Sequence, residues 1–224
     1  MTASHSPARA TAATLLALGA AAGPFYVIVG VAQILTREGF DWTRHALSLM
    51  SNGPLGWIQI ANFLVSGLLV IAGAKGLRDA VPAGRGRLAA PLLVGVYGLG
   101  LIGAAFFTAD PALGFPPGTP EGPPPSITTH GLLHFVSGGI GFLALIAACF
   151  VMAARYAAER QPAWTWLSIA TGVLFFAGFA GIASGSGSRA LTVAFYFAVL
   201  LAWTWLTLVF LKSAQKLSAH KSQL

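Results

Sequence analysis

Six apolar stretches, each free of Lys, Arg, Asp and Glu in its central portion, constrain the fold of this chain more than any motif does. They cover residues 14–35, 57–76, 88–107, 129–153, 163–182 and 190–211. A helix needs about 20 mostly apolar residues to cross the hydrocarbon core of a bilayer. Inside that core no water can satisfy an N–H or C=O, so such a stretch must close its own backbone hydrogen bonds as an α-helix. The expected fold is therefore an all-α, polytopic transmembrane bundle of six helices over residues 13–211. A short tail of residues 1–12 precedes it and a basic tail of residues 212–224 follows.

Composition excludes the competing classes. Charged residues make up 8% of the 224 and hydrophobic ones 56%, whereas a soluble domain is about 25% charged. A soluble globular enzyme, a disordered chain and a nucleic-acid-binding domain are all ruled out on that ground. The net charge of +7 comes from basic residues scattered through short loops, with no interleaved aromatics. It therefore marks topology and contact with anionic headgroups, making membrane lipids the expected partners. Arg9 and the run Ala20-Ala21-Ala22 mimic a cleavable signal, but the apolar run continues through Phe25 to Leu35. A retained first helix is expected. The single Cys149 lies in an apolar stretch and reads as a small buried hydrophobe.

The basic residues also predict orientation. With the N-terminus in the cytoplasm, ten of the 13 Lys and Arg residues fall inside and only Arg37, Arg44 and Arg189 fall outside. The positive-inside rule then places both termini in the cytoplasm of a multi-pass protein of the cytoplasmic (inner) membrane.

On this orientation, hydrogen-bonding side chains gather at the outer ends of the helices. Gln59, Asn62 and Ser66 share one helical face at i, i+3, i+7, with Gln33 on the neighbouring stretch. His130, His134 and Ser137 share another face at i, i+4, i+7. Asp110 and Tyr196 lie at the same level. Polar groups facing lipid cost several kcal/mol each, so these faces are expected to turn inward. They predict an outward-facing polar pocket of Gln59, Asn62, Ser66, Asp110, His130, His134, Ser137 and Tyr196. Its ligand would be a small molecule or a lipid headgroup, with no cofactor. The absence of an ionised side chain at mid-span argues against ion-coupled transport.

The pair His130 and His134 also has metal-ligand spacing on a helix. With His45 and Asp110 it forms an alternative set for a divalent metal such as zinc, with Ser48 as an auxiliary group. That alternative is a metal-dependent membrane hydrolase acting on lipids, similar in plan to ceramidase-like membrane hydrolases. A third alternative is a structural partner subunit of a membrane complex.

The connections add local expectations. Asp41 is expected to cap a short helix running through Met50, ended by Asn52-Gly53-Pro54. The proline-rich stretch 110–125 is expected to be a stiff spacer, with a lid as the alternative. The pairs Gly19/Gly23, Gly138/Gly141 and Gly178/Gly181 are candidates for close helix approach.

Two motif groups resemble a known family. The first is His45-Ala46-Leu47-Ser48-Leu49, then Gly53-Pro54-Leu55-Gly56-Trp57-Ile58-Gln59, Asn62-Phe63 and Gly67-Leu68. The second is Phe107-Thr108-Ala109-Asp110-Pro111 with His130-Gly131-Leu132-Leu133-His134. Together they resemble prokaryotic membrane proteins designated domain of unknown function 998 (DUF998). The resemblance implies a six-helix integral membrane protein and no particular activity.

Overall fold

A computed structural model describes residues 7–219. Residues 1–6 and 220–224, which carry His5, His220 and Lys221 of the two expected tails, lie outside the described residues. Six α-helices follow one another: α1 (Pro7–Thr36), α2 (Gly56–Ala80), α3 (Ala89–Phe106), α4 (Thr129–Ala158), α5 (Pro162–Ala183) and α6 (Arg189–Ala219). All six are long and apolar enough to cross a membrane. No strand occurs among the described residues. Each helix lies on one of the six apolar stretches. Helices α1 and α6 also run on into residues assigned to the tails, where Ala, Arg, Lys and Gln are good helix formers.

Local chemistry sets the boundaries. The Thr128 side chain accepts from Gly131 N at 3.0 Å and caps α4. Pro162 opens α5, where its missing N–H is no loss. Pro24 lies inside α1 and cannot donate to the carbonyl four residues back. That carbonyl, on Ala20, instead accepts from the Thr207 hydroxyl of α6 at 3.4 Å. A break in one helix is thus repaired by its neighbour, as membrane proteins require.

Each helix packs on the next in sequence, α6 packs on α1, and α2 also touches α6. The result is a closed ring of six. Lipid is as apolar as the helix surfaces, so close van der Waals approach must hold the ring together. Glycine makes that possible at Gly19 and Gly73, where a Cβ on Gly19 would stand 2.5 Å from the facing Cα. Gly100 and Gly141 likewise bring α3 against α4. Gly23 meets Thr207 and Trp203, and Gly178 meets Ala198 and Phe195. Gly138, by contrast, faces open space, with nothing within 4 Å of a Cβ built there.

The two ends of the ring differ. At the basic end Arg155 donates to Pro82 O (3.3 Å) and Arg85 O (2.9 Å) and pairs with Glu159 at 2.8 Å. Lys216 also pairs with Glu159 at 2.7 Å, and Lys212 lies 4.1 Å from the Trp164 ring centre. The other, loop end carries residues 37–55, 107–128 and 184–188. There the expected helix from Asp41 to Met50 is replaced by a turn and a short 3-10 helix, Leu47–Ser51. The Asp41 carboxylate accepts from Thr43 N (2.9 Å) and the Thr43 hydroxyl (2.6 Å), which folds the chain into a turn rather than a cap. Ala46 then adopts an extended conformation (φ −64°, ψ 145°) that interrupts any helix.

Candidate functional site

The loop end is a cap built from two interlocked connections. His45, buried between Phe40 and Phe115, accepts from Asp41 N at Nδ1 (3.0 Å). Its Nε2 donates to Leu113 O at 2.9 Å, since a carbonyl can only accept. Asn52 donates to Ala109 O at 2.9 Å, and Arg44 pairs with Glu121 at 2.6 Å. Arg37 is almost wholly buried and forms no ion pair among the described residues. It donates to Met50 O (3.1 Å) and Asn52 O (2.7 Å), and its guanidinium lies 5.3 Å from the Phe115 ring centre. Burial pushes its pKa down. Arg189 ties the cap to α6 through Asp41 and Thr43. The Tyr196 hydroxyl donates to His45 O at 2.9 Å.

Beneath the cap lies a cavity of about 130 Å³, bounded by α3, α4, α5 and α6 with contributions from Tyr26 and Phe63. Its wall is largely aromatic, including Tyr97, Phe142, Phe175, Phe195 and Trp203. Gly100, Ala104, Gly138 and Gly139 leave the space that the rings do not fill. Ala46, Leu47 and Ser48 of the cap form its roof.

The eight residues expected in one polar pocket are distributed over five settings. His134 and Tyr196 line the cavity. Gln59, Asn62 and Ser66 share a face as their spacing required, but it turns against α1. Gln59 Oε1 accepts from Gln33 Nε2 (2.8 Å) and Asn62 Nδ2 (3.3 Å). Asn62 Nδ2 also reaches Tyr26 O at 3.2 Å, and Ser66 Oγ donates to Asn62 Oδ1 at 3.4 Å. Gln33 Oε1 and Gln59 Nε2 remain unpartnered among the described residues. Asp110 accepts from Thr128 N (3.0 Å) and the Thr128 hydroxyl (2.6 Å), placing a carboxylate at the positive end of the α4 dipole. Ser137 packs where Gly103 leaves room. His130 is exposed, with its ring centre 5.8 Å from that of Phe107.

The alternative metal set is not brought together. Both ring nitrogens of His45 are engaged within the cap, and His134 Nδ1 donates to Phe107 O at 2.7 Å. Among the described residues no three His, Cys, Asp or Glu side chains could share a metal ion. Sequence reasoning gave no role to Arg37 or Tyr97. Arg37 had one visible signal, as a cation immediately after the first apolar stretch. Tyr97 had none, because a tyrosine among apolar residues reads as core.

No curated protein and no solved structure matches the chain. One family model does match, described as "Protein of unknown function (DUF998)", and it covers residues 20–212. That span holds the whole of α2 to α5, both cap connections and every residue of the cavity wall, so the chain belongs to the DUF998 family.

Proposed function

We propose that this multi-pass membrane protein binds a small, predominantly apolar molecule in the capped cavity of its loop half. The observation that carries this reading is the cavity itself: an aromatic-walled space of about 130 Å³ beneath the cap. An apolar cavity of about 150 Å³ in a soluble protein stays dry and takes up benzene, so the volume here suits one six-membered ring. Typical sites for drug-sized ligands run to about 300 Å³ or more, which limits the buried part of a larger molecule to such a ring. The lining atoms lack dispersion partners across the void, and an occupant supplies them. The largely apolar wall favours this over the polar headgroup expected from sequence. The weight of basic residues at the opposite end supports an orientation with the cavity in the outer leaflet of the cytoplasmic membrane.

Cavity filling tests the reading. Gly138 lines the cavity, and a Cβ built there meets no atom within 4 Å. Toluene should raise the melting temperature of the purified wild-type protein and leave Gly138→Trp unaffected. Equal responses in both proteins would remove the cavity as a binding site.

A further inference from the structure

In a soluble protein an apolar cavity selects ligands by taking them out of water. In a bilayer that driving force is missing, because the surrounding lipid tails are as apolar as the cavity wall. Selectivity must then come from shape and from hydrogen bonds made in a low-dielectric setting. Several residues of the wall carry hydrogen-bonding groups, among them Ser48, His134 and the tyrosines Tyr26, Tyr97 and Tyr196. Tyr97 on α3 is 3% exposed and packs on Trp203 and Phe142. Its hydroxyl takes no part in the side-chain hydrogen bonds of the wall, which engage His134 and Tyr196. A buried phenol normally finds a partner. Of the other two cavity tyrosines, Tyr196 already donates to His45 O, and Tyr26 has the Gln59 side chain beside its hydroxyl.

The wall also differs along its length. In the basic half α4 and α5 touch directly, with a Cβ on Gly172 standing 3.2 Å from Cys149 and 3.1 Å from Phe150. In the loop half they meet through aromatic rings, Phe135 and Phe179, whose centres are 6.2 Å apart. Phe135 lines the cavity and is 49% exposed on the outer surface. Those two rings are the side of the cavity that faces lipid.

Resting on the proposed cavity binding, the geometry points to a ligand whose ring carries an oxygen substituent, a phenol or quinone, recognised by the Tyr97 hydroxyl and admitted from the bilayer between Phe135 and Phe179. Tyr97 donates to a quinone carbonyl or accepts from a phenol hydroxyl. The aromatic wall stacks on the ring, and a tail leaves between α4 and α5 into the lipid.

The test compares phenol with toluene on the purified full chain in lipid nanodiscs, using wild type, Tyr97→Phe and Gly138→Trp. Without a partner for its hydroxyl, phenol would bind more weakly than toluene, because burying an unsatisfied hydroxyl is unfavourable. The expected result is phenol binding at least threefold tighter than toluene in wild type. Tyr97→Phe should lower phenol affinity about tenfold with toluene affinity unchanged, and Gly138→Trp should abolish both. Toluene binding that Gly138→Trp removes, with phenol weaker and indifferent to Tyr97→Phe, overturns the ring-oxygen recognition and leaves the cavity reading standing. Indifference of both probes to Gly138→Trp overturns the cavity reading as well. Should Gly138→Trp fail to fold, Gly138→Leu fills part of the same space and replaces it. A final arm uses 4-decylphenol. Retained binding is expected for a ring delivered from the bilayer, and its loss would overturn passage between Phe135 and Phe179 in favour of a free, water-soluble phenol.

Discussion

His45 Nε2 donates to the carbonyl of Leu113 at 2.9 Å, across 68 residues of chain, while its Nδ1 accepts from Asp41 N. One imidazole thus fixes both its own connection and the proline-rich one, with neither nitrogen left over. Replacing it by Ala strands a partly buried N–H and a partly buried C=O, each a loss of up to about 1–3 kcal/mol. His45→Ala should therefore lower the melting temperature substantially, and by the same amount with and without a chelator. A drop that chelator alone reproduces in wild type would point back to a metal role.

The Gln33–Gln59–Asn62–Ser66 network should behave as a unit. Gln59→Leu leaves Gln33 Nε2 and Asn62 Nδ2 without their shared acceptor. Interhelical hydrogen bonds in membranes average about 0.6 kcal/mol and reach about 1.7. A loss in the upper part of that range is expected, because all four side chains are buried. Gln33→Leu/Gln59→Leu should recover most of it. A double-mutant cycle by steric trapping or chemical denaturation measures the coupling, and strictly additive effects would contradict it.

Glycines of similar sequence appearance should differ in tolerance. A Cβ on Gly19 would stand 2.5 Å from the Gly73 Cα, and one on Gly138 meets nothing. Gly19→Val should force α1 from α2 and destabilise by about 1–3 kcal/mol, as overpacking does. Gly138→Val should be close to neutral. Comparable losses at both sites would contradict the packing described here.

Orientation is testable with single cysteines after Cys149→Ala. Ser126→Cys and Ser186→Cys should react with a membrane-impermeant maleimide on intact cells, and Ser218→Cys only after permeabilisation. The reverse pattern would invert the protein and move the cavity to the inner leaflet.

Two carboxylates predict acid sensitivity at both ends of the ring. The Thr43 hydroxyl, aided by the Arg189 charge, holds the Asp41 carboxyl below its ordinary value despite some desolvation. Burial pushes Glu159 up, but the ammonium of Lys216 and the guanidinium of Arg155 outweigh it and hold this carboxyl low. A depressed folded-state pKa adds stability above the unfolded value, about 4 for such groups, and loses it as pH falls through the folded value. Melting temperature should therefore hold above about pH 5 and decline below about pH 4. Asp41→Asn and Glu159→Gln should each flatten that decline, and an unchanged decline in both would contradict the assignment.

The helices were legible in the sequence because apolar length is a local property: each expected span lies on an observed helix. The side chains sharing one face were legible too, as with Gln59, Asn62 and Ser66. What that face meets was not, because periodicity gives an angle about one axis and says nothing of the neighbour. The partner proved to be α1 through Gln33, and the polar group became an interhelical clasp. Asp110 shows the same limit. Its position beside the α4 start was readable, but the Thr128 hydrogen bonds that occupy it depend on how a turn of 17 intervening residues closes. The cavity was invisible for a different reason. A void is the absence of side chains where several helices meet, and no single segment encodes it.

Order of synthesis gives the closed ring a further meaning. Successive helices can dock on their predecessors as each leaves the ribosome, but contacts of α1 with α6 must wait for the last of them. Until then Ala20, deprived of its donor by Pro24, has no Thr207 hydroxyl to turn to, and Tyr26 has no Trp203 to pack on. The wall that includes Phe195, Val199 and Trp203 is missing as well. The sixth helix therefore acts as a keystone: a nascent chain of five helices has a cleft open to lipid, and the chamber comes into being only when the arch is closed.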